Sequence, residues 1–382
     1  MIKLLTIIGA RPQIIKAAAI SRAIREKFAG QVKEHILHTG QHYDDNMSEV
    51  FFRELGIPAP DYNLHAGSGS HGVQTAKIIE GVEAILTEQH YDGVVVYGDT
   101  NSTLAAAVAA SKIHVPVFHV EAGLRSFNMA MPEEINRIVC DQLSSLLFTP
   151  TKTGLQNLQT EGFDSIKCRV RFADGRGQKV VLSGDVMYDN SMYFSSMADI
   201  KSDIIERMGL SHRNFILATI HRPANTDNPE NLRSIFRALA DIADKHQIDV
   251  VLPLHPRTRK VMESLTPNPF PEGQGSRVHI IEPVSFFEII RLEKNARVVM
   301  TDSGGVQKEA FFYGTPCVIL RPETEWVEIV EAGAGIIADA DYERIIAAYE
   351  ALAGKPVHFP PLFGDGHASE KIIREIIKYI DE

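Results

Sequence analysis

Residues 94–137 read VVVYGDTNSTLAAAVAASKIHVPVFHVEAGLRSFNMAMPEEINR, and their pattern decides the fold. Two short apolar runs, Val94–Tyr97 and Val115–Val120, flank an Ala-rich segment, Leu104–Ser111. Runs too short for helices around a stretch of high helix propensity read as strand, helix and parallel strand. Asp99 lies just past the first run and Glu121 closes the second. Both acids thus fall at carboxyl ends of neighbouring parallel strands, the edge where open α/β sheets bind ligands. Glu133, followed by Glu134, opens the next helical segment. Any one of these acids reads first as a helix cap. Three at one edge, with Gly98 and Gly123 beside them, read as a site.

The same alternation extends toward the N-terminus. Ile2–Ile8 is an apolar run broken at Gly9-Ala10-Arg11-Pro12-Gln13, with Pro12 suited to a helix start and a helix expected over Ile14–Phe28. Arg11 and Lys16 flank that start, where the helix dipole favours an anion, although a solvated basic helix start explains them equally well. Neither G-x-x-x-x-G-K-[ST] nor G-x-G-x-x-G occurs here, so no P-loop and no dinucleotide fingerprint is present. A strand is expected at Val32–Leu37, then helices at Asp45–Leu55 and Val73–Gln89, the second after a glycine- and serine-rich loop, 66–72. Leu146–Thr149 reads as a strand, followed by a helix capped by Thr151. Up to residue 150 this is a doubly wound parallel sheet.

Residues 174–178 are polar and glycine-rich and read as a surface excursion. A second alternation begins at Phe215–Ile220, continues with a helix Pro229–His246, and includes strands at Val250–Leu254, Val278–Ile281, Val298–Met300 and Cys317–Leu320. Two domains are therefore expected: 1–184, with 367–382 crossing back to it, and 185–366. The second half has its own charged edge. His221 and Arg222 end one strand, Ser303-Gly304-Gly305 opens a helix after another, and Glu309 lies one turn on. Small residues at a helix start let backbone N–H groups approach phosphate oxygens, and a carboxylate one turn on suits a ribose diol. His221 taken alone reads as a half-buried histidine.

Composition narrows the partners. The 382 residues carry a net charge of −10, with 44% hydrophobic and 23% charged residues, as in globular proteins that fold in water. The acidic balance argues against nucleic acid, which requires a basic face. No stretch approaches the roughly 20 apolar residues of a membrane span. Cys140, Cys168 and Cys317 are three, widely spaced, without C-x-x-C, which fits a reducing cytoplasm and no structural zinc. The N-terminal apolar run lacks a small-residue cleavage site, so a cytoplasmic protein is expected.

With these residues in hand, the chain resembles the non-hydrolysing UDP-N-acetylglucosamine 2-epimerase family. The motifs GARPQ-I-IK, TGQH, YGDTNST, HVEAGLR, PEEINR, the His221-Arg222 pair and TDSGG-x-x-x-E agree in order and spacing over almost the whole chain. The resemblance implies two Rossmann-like domains facing a cleft, the B-type glycosyltransferase fold. It implies a homodimer that uses a UDP-sugar and needs neither metal nor other cofactor. It puts Asp99, Glu121, Glu133 and His221 at the reacting sugar, and Arg11, Lys16, His221, Ser303, Gly304, Gly305 and Glu309 on the nucleotide. The implied reaction is C2 epimerisation through elimination of UDP to a 2-acetamidoglucal and re-addition.

Two positions depart from the family pattern. Ala224 stands where H-R-x-E-N has its acid, and Thr324–Glu328 reads TEWVE in place of TERPE. The second departure resembles the branch acting on UDP-2,3-diacetamido-2,3-dideoxyglucuronate, whose extra carboxylate and acetamido group need a cation or an amide donor, with Arg257 and Arg259 among the candidates. Trp326, the only tryptophan, either packs or stacks on a base. A retaining glycosyltransferase or a UDP-sugar sensor without turnover are readings from other classes. The first would not need three acids at the first domain's edge, and the second takes its support from Ala224.

Overall fold

The computed structural model describes residues 1–41, 56–163, 172–173, 175–254 and 275–382. The expected helix Asp45–Leu55 and the cations Arg257 and Arg259 lie outside them. The described residues divide into two compact units, 1–190 with 361–382, and 191–360. The sequence expectation puts these boundaries at 184/185 and 366/367. The helix Val186–Lys201 spans the first division.

Unit 1 holds a parallel sheet of β1 (Ile2–Ile8), β2 (Val32–His38), β3 (Tyr62–Asn63), β4 (Gly93–Tyr97), β5 (Val117–Val120), β6 (Leu146–Thr149) and β7 (Lys179–Leu182). Their spatial order is β3-β2-β1-β4-β5-β6-β7. The chain builds outward from β1 in one direction and from β4 in the other, so β1 and β4 meet at a topological switch point. Val94 and Val96 of β4 pack on Ala105, Ala106 and Ala109 of the helix Asn101–Lys112. The small side chains let that helix lie close to the sheet, and Thr100 caps it by accepting a hydrogen bond from the Thr103 N–H.

Unit 2 repeats the plan with β8 (Phe215–Thr219), β9 (Asp249–Pro253), β10 (Val278–Ile281), β11 (Val298–Thr301), β12 (Cys317–Ile319) and β13 (Gly335–Ile337). Its order is β10-β9-β8-β11-β12-β13, all parallel, with the switch point between β8 and β11. The amphipathic helix Pro229–His246 buries Leu232, Ile235, Phe236 and Leu239 against this sheet.

The C-terminal helix, Ala368–Asp381, returns to unit 1. Asp189 accepts hydrogen bonds from the Ala368 and Ser369 N–H groups at 3.0 and 2.7 Å and from the Ser369 hydroxyl at 2.6 Å. A carboxylate from elsewhere in the chain thus satisfies donors that a helix start leaves unpaired. Gly184 allows the approach: a Cβ there would sit 2.9 Å from the Phe363 carbonyl oxygen, and its φ is +86°.

Several local expectations are revised. The first helix begins at Arg11 and its last turn, Ile24–Phe28, widens to a π turn. The helix expected at Val73 starts at His71, inside the glycine- and serine-rich loop. The stretch before β7 is not wholly a surface excursion. Gln178 is buried, and its amide N–H₂ donates to the carbonyls of Asp141, Gln142 and Ser144.

Candidate active site

Each sheet presents polar groups at its switch point, built by short local rules. In unit 1, Gln13 is buried and joins the ends of β1 and β4. Its side-chain oxygen accepts from the Gly9 and Ala10 N–H groups at 2.9 and 3.1 Å, and its N–H₂ donates to the Tyr97 carbonyl at 3.0 Å. Asp99 follows β4 through Gly98, whose φ of +61° turns the chain off the sheet. Arg137 donates to Asp99 at 2.5 Å and also pairs with Glu134. Burial opposes the Arg137 charge, but Asp99, Glu134 and Glu121 more than restore it, and its pKa is raised.

The two adjacent acids of PEEINR have separate fates. Glu134 is buried and accepts from the Ser126 and Phe127 N–H groups, holding the loop after β5. Glu133 is exposed and, with Asp99, His71, Asn101 and Asn136, lines a cavity of about 320 Å³. Asn136 donates to the Asp99 carbonyl at 2.9 Å, so the helix Pro132–Leu143 is tied to the turn that carries Asp99.

Glu121 adopts φ +72°, a left-handed conformation that costs a non-glycine residue about 1–3 kcal/mol and recurs at functional sites. Its side chain pairs with Lys16 from the first helix. Both side chains are largely buried, at 12% and 10% exposure, which screens the pair little. Arg11 is the first residue of that helix.

In unit 2, His221 and Asp302 span the β8/β11 switch point. The His221 and Arg222 N–H groups donate to the Asp302 carboxylate at 3.1 and 3.0 Å, and the imidazole Nδ1 lies 3.0 Å from the same group. Burial raises the Asp302 carboxyl, but hydrogen bonds from His221, Asn225 and Arg222 outweigh it and the pKa falls below the usual value. The imidazole itself is half exposed. Ala224 stands apart from this contact, since Asn225 rather than residue 224 reaches Asp302, at 3.1 Å.

Ser303 caps the helix Gly304–Phe312 by accepting from the Val306 N–H. A Cβ at Gly304 would lie 3.5 Å from Glu325 Oε2, 3.6 Å from Trp326 Nε1 and 3.8 Å from an Arg321 nitrogen. Arg321 donates to both Glu325 oxygens at 3.0 Å. Trp326 is buried under the Lys308 ammonium, 4.1 Å from the ring centroid. Gly305 is exposed at the helix start. Glu309 is half-buried beside Glu293, whose carboxyl burial and Glu309 together push well above the usual range. Among the described residues no cluster of three or more His, Cys, Asp or Glu side chains is arranged to hold a metal ion. None of the described helices is long and apolar enough to cross a membrane.

Sequence reasoning did not single out Arg137, Asp302, Arg321 or His71 as site residues. Arg137 and Asp302 lie inside the quoted motifs PEEINR and TDSGG, so the signal was present there. His71 and Arg321 become visible only through tertiary neighbours.

Paired parallel-sheet units with polar switch points place the protein among α/β proteins of the B-type glycosyltransferase fold. Residues 24–377 match the family model described as UDP-N-acetylglucosamine 2-epimerase. The chain belongs to this epimerase family, whose members are isomerases. A Pseudomonas aeruginosa UDP-2,3-diacetamido-2,3-dideoxy-D-glucuronate 2-epimerase is 47% identical over 98% of this chain and 99% of its own. The Methanocaldococcus jannaschii UDP-GlcNAc 2-epimerase, solved in complex with UDP-GlcNAc and UDP, is 38% identical with a TM-score of 0.83, covering 99% of this chain and 100% of that one. A Neisseria meningitidis UDP-GlcNAc 2-epimerase bound to UDP-GlcNAc is 29% identical, with a TM-score of 0.82 and coverage of 99% and 100%.

Proposed function

We propose that the protein epimerises C2 of a UDP-N-acetylhexosamine, UDP-GlcNAc to UDP-ManNAc, to supply cell-surface polysaccharide precursors. The observation that carries this reading is the set of acids Asp99 and Glu121, at the carboxyl ends of neighbouring strands, and Glu133, which lines one cavity with Asp99, in a chain of this family. The C2 hydrogen is not α to a carbonyl and is a poor acid at rest. As the C1–O bond loosens, oxocarbenium character at C1 makes it removable. A carboxylate takes that proton, the C–H electrons form the C1=C2 bond of the 2-acetamidoglucal, and the C1–O pair leaves with UDP. Re-addition of a UDP oxygen to C1 and of a proton to the other face of C2 completes the cycle. Each positioned acid or base contributes about 10²–10⁴-fold.

UDP is held by Arg11, Lys16, His221, Ser303, Gly304, Gly305 and Glu309. Cations and helix-start N–H groups stabilise the charge that develops on the leaving diphosphate. The protein works as a cytoplasmic homodimer without metal or other cofactor. Sedimentation velocity tests the assembly, and chelator treatment tests the metal.

A second reading takes UDP-2,3-diacetamido-2,3-dideoxyglucuronate as substrate. The 47% identical Pseudomonas relative and the TEWVE sequence at 324–328 favour it. The chemistry at C1 and C2 is the same in both. Incubating the enzyme with each nucleotide sugar, without any acceptor, and following the C2 epimer by NMR tests the reaction and separates the substrates. A glycosyltransferase or a sensor yields no epimer from either.

A further inference from the structure

Beneath the turns that carry Asp99 and Glu121 lies a charged cluster that takes no part in the proposed proton transfers. His119 on β5 is wholly buried. Its Nδ1 lies 2.7 Å from Asp141 Oδ1 and its Nε2 lies 2.8 Å from the Gly98 carbonyl oxygen. The other Asp141 oxygen accepts from the Gly123 N–H at 3.2 Å and pairs with Arg125 at 2.7 Å. Arg125 in turn binds both oxygens of Glu161 at 2.6 and 2.7 Å.

The ring's protonation follows from its partners. A carbonyl oxygen can only accept, so Nε2 carries a proton. A carboxylate already engaged by Arg125 and a backbone N–H is an acceptor too, so Nδ1 carries the other. The ring is an imidazolium, and two cations balance two carboxylates in the cluster. Burial would drive the imidazole pKa down, but Cys140 and Asp141 beside it raise it well above the ordinary value.

The two backbone groups held by this pair have a common meaning. The Gly98 carbonyl belongs to the peptide that leads into Asp99, and Gly123 lies two residues after Glu121. Both turns have left-handed backbone, at Gly98, Glu121 and Gly123. The neighbouring strands hold their N–H groups, Gly98 on the Val120 carbonyl and Glu121 and Ala122 on the Phe148 carbonyl, while the Gly98 carbonyl and the Gly123 N–H are held by the His119–Asp141 pair. We propose that His119 and Asp141 form one positioning clamp that sets Asp99 and Glu121 relative to each other, so that proton removal and proton return stay in step. This deepens the proposed epimerase reading and rests on it.

The test uses the full-length protein and the variants His119→Gln and Asp141→Asn. Near-UV circular dichroism and UDP binding, read through Trp326 in the other unit, establish that they are folded. The clamp predicts a kcat reduced about 10²-fold, the scale expected for a displacement near 1 Å, with KM little changed. It also predicts that free UDP and 2-acetamidoglucal accumulate relative to epimer, because a displaced acid returns the proton too late. Loss of stability alone would not change that product ratio. A folded variant with wild-type kcat and product ratio overturns the proposal. A second measurement uses the unaltered protein: ¹⁵N-detected NMR of His119 at neutral pH shows both ring nitrogens protonated. One unprotonated nitrogen overturns it as well. If the wild-type enzyme itself exchanges no deuterium into C2 of either nucleotide sugar, the epimerase reading fails. The NMR result still decides the state of the clamp in that case.

Discussion

Lys16 and Glu121 form an ion pair between the first helix and the end of β5, joining a cation expected at the nucleotide to an acid expected at the sugar. A Cβ at Gly98 would lie 3.2 Å from the Lys16 nitrogen and 3.9 Å from Glu121 Oε2, so the pair sits against the turn that leads to Asp99. Removing one partner takes from the other, largely buried, charge its nearest counter-charge.

A double-mutant cycle of Lys16→Met and Glu121→Gln, followed by urea unfolding, is expected to give an interaction energy of about 1 kcal/mol or more. Additive effects would show that the two charges do not sense each other.

Asp99→Asn, Glu121→Gln and Glu133→Gln are each expected to keep UDP binding and to lose about 10²–10⁴-fold in epimerisation rate. Each replaces a charge by a group of the same shape at a strand end or helix start. Single-turnover assays with the C2 epimer as product check this, and wild-type rates in all three would remove these acids from the mechanism.

The reasons these acids were legible in the sequence, while their supports were not, are physical. Glu121 directly follows a short apolar run and Asp99 follows one through Gly98, so the strand rule alone places them at the sheet edge. The strands Ile2–Ile8 and Leu146–Thr149 and the helix Pro229–His246 end where the sequence reading ends them, because glycine, proline and capping residues punctuate them. By contrast, β3 and β13 have two and three residues, too few for periodicity to register. His119 and Asp141 lie 22 residues apart, and only packing of the helix Pro132–Leu143 against β5 brings them together. The separate roles of Glu133 and Glu134 likewise depend on which face of that helix meets the 126–127 loop.

Arg137→Met is expected to lower stability by about 3 kcal/mol, because it strands the buried Glu134 carboxylate as well as freeing Asp99. Chemical denaturation measures this. Arg137→Met with unchanged stability would mean that Glu134 is held by the Ser126 and Phe127 N–H groups alone.

His38 makes stability depend on pH. It is buried, its Nδ1 accepts from the Gly40 N–H at 3.0 Å, and burial together with His65 lowers its pKa from the ordinary 6.5 to about 4. Between those values the unfolded chain binds a proton that the folded chain refuses, so stability rises with pH there. The contribution is complete above about 6.5 and is lost as the pH falls toward about 4, a change of roughly 3 kcal/mol. His38→Asn is expected to flatten the slope of unfolding free energy over that window, and an unchanged slope would assign the acid sensitivity elsewhere.

UDP is expected to change the fluorescence of Trp326, the single tryptophan, whose indole nitrogen lies beside the Gly304 helix start. Gly304→Val would crowd Glu325, Trp326 and Arg321 beside the helix start and is expected to weaken UDP about tenfold or more, near 1.4 kcal/mol. A titration with Gly304→Val that matches wild type would remove this helix start from the nucleotide site.

Proton exchange at C2 of a UDP-2-acetamido sugar is tested most directly by isotope incorporation. The enzyme is incubated in deuterium oxide with UDP-GlcNAc, and separately with UDP-2,3-diacetamido-2,3-dideoxyglucuronate, with no acceptor present. Deuterium at C2 together with the C2 epimer is the predicted result. Label from UDP-GlcNAc makes the plain sugar a substrate, and label from the uronate alone selects the second reading. Both sugars recovered unlabelled and unepimerised, from protein that still binds UDP, would contradict the account.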